Sequence, residues 1–462
     1  MRSRLTVGAG LVGCVAVLVA CTGAGSDQQR PHRVAAESSA GSGSAWHEAA
    51  RRHPSGHDAA LATGHGSHHP LGLPRTPAGW PTRVELGVSS PPGDASKLTA
   101  TTPFGFRYQY LAGGANTGEG WATWDRDGRF VTHYIEESSE ADIIPVFTYY
   151  MLRQSRPGRD MAELDGVSAN LTNPRTMAAY YRDLKVFFRR AAAVGGMTVL
   201  HVEPDLWAFM QQWTSDDDPA SVPVRVNASG MADVAGLPDT AAGFAQAIVQ
   251  LRDRYAPNVV LAYHVSTWGT GDDVLHADPP DEVVRALGRR TAAFYRSLDA
   301  TFDIAFTDIA DRDAAFNEEH DGDGGAAWMD AADYRRSVAY IDVVVGTAGL
   351  RALLWQLPLG NTEMRAVNDT WNHYQDNKVE SLLADGDRSL LGSYVSAGVV
   401  AFLFGRGADG ATCACDAEGD GVTNPSPING NDGWSVSADD DGGFFRARAA
   451  RYYEQGAVAL DE

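Results

Sequence analysis

Residues 197–213 read MTVLHVEPDLWAFMQQW: an apolar strand that ends on His201, Glu203 and Asp205, with Pro204 between the two acids and Trp207 just beyond. A second apolar run, FDIAFTD at 302–308, ends on Asp308 in the same way. Carboxylates are seldom buried without a partner, so acids at the mouths of core strands need a reason. Two carboxyl groups across an aromatic-lined cleft meet the needs of glycosidic bond hydrolysis. One stays protonated for the leaving oxygen and one is ionised for the sugar carbon or a water. Burial beside apolar rings raises one carboxylic pKa, while hydrogen bonding holds the other down, which divides the roles.

Such a pair needs a scaffold that brings strand ends together. From residue 84 onward short apolar runs alternate with helical patterns, the signature of parallel βα units. The runs are RVELGVS (83–89), FGFRYQYL (104–111), DIIPVFTYY (142–150), MTVLHVE (197–203), VVLAYHV (259–265), FDIAFTD (302–308), RALLWQL (351–357) and VVAFLFG (399–405). Apolar character without polar alternation is expected of strands covered on both faces. Helical spacing marks Met177, Tyr181, Leu184, Phe188 and Ala191, and then Phe244, Ile248, Leu251 and Tyr255. It recurs in Val284, Leu287, Phe294 and Leu298 and in Tyr334, Val338, Ile341 and Val345. Asn173 before Pro174 is a cap and first-turn pair, and Gly195 closes that helix. The helix between the first two runs is hardly visible. Eight such units imply an α/β fold, a single (β/α)8 TIM barrel, with an open doubly wound sheet as the competing arrangement. Right-handed crossovers place all strand C-termini on one face, where the long loops after strands 2, 4, 6, 7 and 8 accumulate.

On that rim the expected catalytic pair is Glu203 and Asp308. The expected substrate-binding set is Asp205, Trp207, Tyr108, Tyr149, His264, Trp268, Asp311, Trp355, Gln356, Trp371, His373 and Asp376. Flat Trp and Tyr faces suit the apolar faces of sugar rings, and most tryptophans fall at or after strand ends. Each choice has a plainer competitor. Glu203 is also a cap or ion-pair partner, Asp308 a cap or partner of Arg312, and His201 and His264 satisfied core histidines. Single tryptophans usually belong to the core, and Asp376 in NDTWNHYQDNKVESLL (368–383) also suits a helix cap.

The 38 basic and 59 acidic residues give a net charge of −21, which disfavours nucleic acid as a partner. Arg2 and Arg4, an apolar stretch over 5–20 and then Cys21 have the layout of a secretory signal, too short for a membrane span. Leu18, Val19, Ala20 and Cys21 resemble a bacterial lipobox, which implies cleavage before Cys21, lipidation of its thiol and an extracytoplasmic protein held on the cell membrane. An ordinary signal peptide is the alternative. The chain then divides into a signal at 1–20, a tether at 21–80 rich in His, Gly, Ser and Pro, and a barrel at 81–462. Cys413 and Cys415 form a C-A-C pair whose bonding the spacing does not decide. DAEGDGVTN (416–424) sets Asp416, Glu418 and Asp420 at alternate positions, as in a calcium loop, but Pro427 stands where an EF-hand has its bidentate Glu. The chemistry requires no cofactor; a structural calcium competes here with a solvated acidic loop.

The rim over 83–462 resembles that of the (β/α)8 glycoside hydrolases. One division of that superfamily, which includes α-galactosidases, carries its carboxylates after strands 4 and 6, matching Glu203 and Asp308. The larger division uses strands 4 and 7 and has Asn before the strand-4 Glu; here stand Gln356 and Val202. E-P-D and D-R-D-A-A resemble segments of the cellulase family that contains cellobiohydrolases, in reversed order. The resemblance implies an extracellular enzyme acting on a polysaccharide or oligosaccharide. Two alternatives stay open: a carbohydrate-binding barrel without catalysis, and a metal-dependent hydrolase using His201, Asp205, His264 and Asp308.

Overall fold

The computed structural model describes residues 72–100, 102–310, 312–362, 375–405 and 444–460. Every expected apolar run contains a strand: β1 (Glu85–Ser89), β2 (Phe106–Leu111), β3 (Ile144–Tyr149), β4 (Thr198–Val202), β5 (Val259–Val265), β6 (Ile304–Thr307), β7 (Ala352–Leu357) and β8 (Val399–Phe404). All neighbours pair in parallel, and β8 returns to β1, with Glu85 opposite Ala401 and Val88 opposite Phe404. Closure removes the open-sheet alternative. The chain is a (β/α)8 barrel, with side chains buried both inside the ring and against the outer helices.

The four marked helices form as Pro174–Val194, Ala241–Tyr255, Asp281–Ser297 and Ala331–Ala348. The first is capped as the sequence implies: the Asn173 side chain accepts from the amides of Arg175 (3.0 Å) and Thr176 (3.2 Å), and Gly195 takes φ +81 at its end. The faint first crossover is real. Only the five-residue helix Ala95–Thr99 stands between β1 and β2. Two further helices, Arg129–Glu140 and Glu163–Leu171, escape apolar spacing because polar groups occupy their buried stripes. Ser138 of the first accepts from the buried Arg107 at 2.8 Å, and Asn170 of the second donates to the carbonyls of Leu152 and Ser155.

The C-terminal helix Phe444–Glu454 covers the seam where the ring closes. Phe445 packs on Phe404 of β8 at 4.4 Å, the Tyr452 hydroxyl donates to the Val84 carbonyl, and the Tyr453 hydroxyl accepts from the Leu86 amide and donates to Glu85.

Replacing Asn173 by Ala removes the acceptor for two orphan amides of a long helix that packs on β3. Urea unfolding should report a loss of about 1 kcal/mol with no change in slope; an unchanged midpoint would show that the cap contributes nothing.

Candidate active site

Glu203 follows β4 directly, at φ +47. A long side chain rarely adopts this region, and Glu has none of the short-range backbone bonding that helps Asp tolerate it. Its amide donates to the Tyr149 carbonyl at 2.8 Å, which extends the β3–β4 ladder by one step while the carboxyl turns toward the loop after β3. There Oε1 accepts from the amides of Met151 (3.1 Å) and Leu152 (3.2 Å). The residue is only 1% exposed. Burial dominates over these two amide bonds and pushes the carboxyl up to about 8, with Asp183 reinforcing the rise. Glu203 therefore carries its proton at neutral pH. A small crevice bounded by Glu203, Tyr150, Arg153, Glu163 and Phe209 adjoins it.

Inside the ring, consecutive strands contribute a buried polar chain. Thr148 Oγ1 of β3 lies 3.3 Å from His201 Nδ1, and His201 Nε2 lies 3.0 Å from His264 Nδ1 of β5. His264 Nε2 faces Asp308 Oδ1 at 3.8 Å, just past β6. Both rings are buried; burial pushes His264 down to about 3 and His201 well below its ordinary value, so neither carries charge. The His201 ring stacks on Phe306 at 4.4 Å and meets Trp355 edge-on at 4.7 Å. The Asp308 side chain is 19% exposed, which gives it access that Glu203 has only through its crevice.

On the β7 side, Trp355 packs against Tyr108 and Tyr110. The Tyr110 hydroxyl donates to Gln356 Oε1. Gln356 lies at φ +58, where the register between β7 and β8 slips between Leu354 and Leu357. Among the described non-glycine residues at positive φ, the other seven are all Asp; only Glu203 and Gln356 are long side chains, and both stand at the C-terminal mouth. Strain of this kind persists where the surroundings over-determine it and often marks a working site.

Other expected rim residues divide. Trp207 is 1% exposed and lies in the layer outside β4 and β5, against Tyr263, Phe244 and Phe302, its Nε1 donating to the Val202 carbonyl. Tyr149 also turns outward and donates to Asp183 at 2.6 Å. Tyr149 packs in the core because adjacent residues of a strand point to opposite faces, and Trp207 does so from the buried face of the helix Leu206–Trp213. Asp205, at φ +66, begins the helix Leu206–Trp213, and the partly exposed Trp268 packs on Phe209. Asp376 is fully buried and binds the amides of Ala314 and Lys378 and the Lys378 ammonium at 3.0 Å, tying the loop after β7 to the loop after β6. Asp311, Trp371, His373, Cys21, Asp416, Glu418, Asp420, Cys413 and Cys415 lie outside the described residues. Among the described residues no group of three His, Cys, Asp or Glu is arranged to hold a metal ion; His201 and His264 bond to each other instead.

Sequence patterns did not reveal Asp183. It accepts from Tyr149 and from Trp121 Nε1, both at 2.6 Å, and burial pushes it up to about 6. Its signal was an acid one turn from Tyr180 and adjoining the apolar Leu184 on a buried helix face. Glu163, on the helix that apolar spacing missed, accepts from the Tyr150 hydroxyl at 3.2 Å.

No family model matches the chain, and no curated protein matches it. Solved structures do. One is a modular endo-β-1,4-mannanase of glycoside hydrolase family 26 from Cellulomonas fimi, at 11% identity and TM-score 0.44 over 71% of this chain and 66% of that one. Another is a GH10 endoxylanase from a sugarcane soil metagenome, at 8% identity and TM-score 0.37 over 70% and 86%. A third is a broad-specificity GH5 endoglucanase from an uncultured bacterium, at 11% identity and TM-score 0.37 over 79% and 85%. Each of the three is a glycoside hydrolase, and this chain spans about two thirds of the mannanase's length. The barrel here is established by its own strand pairing.

The Glu203 carboxyl links stability to pH. Its value rises from 4.5 to about 8 on folding, so between those limits the folded protein holds a proton that the unfolded chain has released. Stability is then full below the lower limit and falls as pH rises through the window, by up to about 1.4 kcal/mol per pH unit from this group. Thermal melting from pH 5 to pH 8 should show that decline, and Glu203→Gln should flatten it. Parallel profiles for the two proteins would refute the assignment.

Proposed function

We propose that the protein is a glycoside hydrolase acting on a polysaccharide outside the cytoplasm, with Glu203 as proton donor and Asp308 as the partner carboxylate. One observation carries this: a carboxyl group almost wholly buried, which pushes it up to about 8, on strained backbone at the mouth of a (β/α)8 barrel. In this scheme Glu203 gives its proton to the glycosidic oxygen as the bond to the sugar carbon breaks. Asp308, past β6 on the same mouth, meets that carbon or takes a proton from the attacking water. On the β7 side of the mouth Tyr110, the least buried of its cluster, would meet the sugar, backed by the buried Tyr108, Trp355 and Gln356. Lipidation at Cys21 would hold the barrel on the membrane through the tether.

The near-complete burial of Glu203, whose carboxyl is engaged by two backbone amides, favours a second reading: a barrel that binds glycans without cleaving them. Reducing-end release over a panel of plant and microbial polysaccharides separates the two. Hydrolysis by the wild-type chain, lowered about 10²–10⁴-fold in Glu203→Gln and in Asp308→Asn, supports the enzyme. Calorimetric binding with no release of reducing ends would establish the second reading instead, and full activity in Glu203→Gln would remove Glu203 from the chemistry.

A further inference from the structure

The chain Thr148–His201–His264–Asp308 crosses four successive strands and has a direction. We propose that His264 is a positioning residue: a neutral imidazole, protonated on Nε2, that orients the Asp308 carboxylate, with its tautomer dictated by His201 and Thr148. A neutral imidazole offers one donor and one acceptor, so two linked rings allow only two proton orders. In one, His264 Nδ1–H donates to His201 Nε2, which leaves the bare Nε2 lone pair of His264 facing a carboxylate in a dry interior. In the other, Thr148 donates to His201 Nδ1, His201 Nε2–H donates to His264 Nδ1, and His264 presents Nε2–H to Asp308. Only the second aims a donor at the acid.

The surroundings hold this order in place. The His201 ring is pinned by Phe306 and Trp355, and His264 meets the edge of Trp355 at 5.8 Å, so neither ring is free to flip. The ionisable groups facing His264 are His201 from β4 and Asp308 past β6; Trp355 from β7 presents only an aromatic edge. His264 Nε2 is buried and has no hydrogen-bond partner, and its 3.8 Å separation from Asp308 Oδ1 must shorten to become a hydrogen bond. Catalytic hydrogen bonds commonly tighten in this way when substrate binds. A neutral donor fixes the carboxylate without cancelling its charge, which suits a nucleophile or base.

The role in turnover rests on the proposed function; the proton order does not. In the full chain with 15N-labelled histidine, long-range proton–nitrogen correlation should show His201 and His264 each protonated on Nε2 and bare on Nδ1, unchanged from pH 5.5 to 8.5, with assignments from single-histidine variants. A proton on His264 Nδ1, or on both of its nitrogens within that range, overturns the proposal whether or not any polysaccharide is cleaved. If hydrolysis is found, His264→Phe should lower kcat about 10–100-fold at unchanged KM, and His264→Gln, which returns an N–H donor, should recover most of it. A Phe variant with wild-type kcat, or a loss confined to KM, would equally overturn it.

Discussion

The pairing of β8 with β1 is the constraint on which the rest depends. A parallel sheet left open exposes two rows of unpaired amides and carbonyls; a ring has no edge, and every strand finds two partners. Closure also gathers eight strand ends at one mouth, so residues far apart in the chain become neighbours. Thr148 and His201 are separated by 53 positions yet sit opposite each other in register. The C-terminal helix, with tyrosine hydroxyls bonded to Val84, Glu85 and Leu86, covers the seam that completes the ring.

Within that frame burial acts in opposite directions on acids and bases and makes both neutral. It raises Glu203 and Asp183, and it lowers His201 and His264. The interior around the mouth therefore carries few charges, and an acid left partly in contact with solvent there, as Asp308 is, stands out electrostatically.

Strain at the mouth has a structural source on each side. On β4 the chain must leave the ladder at Glu203 and enter the helix Leu206–Trp213 within three residues, with Pro204 restricting the turn. On β7 the register slips against β8 just where Gln356 stands, which re-aims that side chain toward Tyr110. Neighbouring strands that are themselves rigid hold both residues in conformations that an isolated peptide would leave.

Much of the architecture was legible in residue order. Eight largely apolar runs, four helices at 3.6 spacing and one Asn-Pro cap are local patterns, and local patterns follow from burial and backbone geometry alone. Of the helices that spacing missed, Arg129–Glu140 and Glu163–Leu171 had polar residues in their buried stripes, Ser138 and Asn170, whose partners lie on other elements. The acids and histidines at the strand ends could be named in advance, but their surroundings could not. Which face Trp207 and Tyr149 took, which histidine nitrogen met which, that Asp183 lay behind Glu203 and that Glu203 was sealed rather than open were decided by tertiary structure. Periodicity is a property of neighbours along the chain, whereas desolvation and hydrogen-bond partnership depend on neighbours in space.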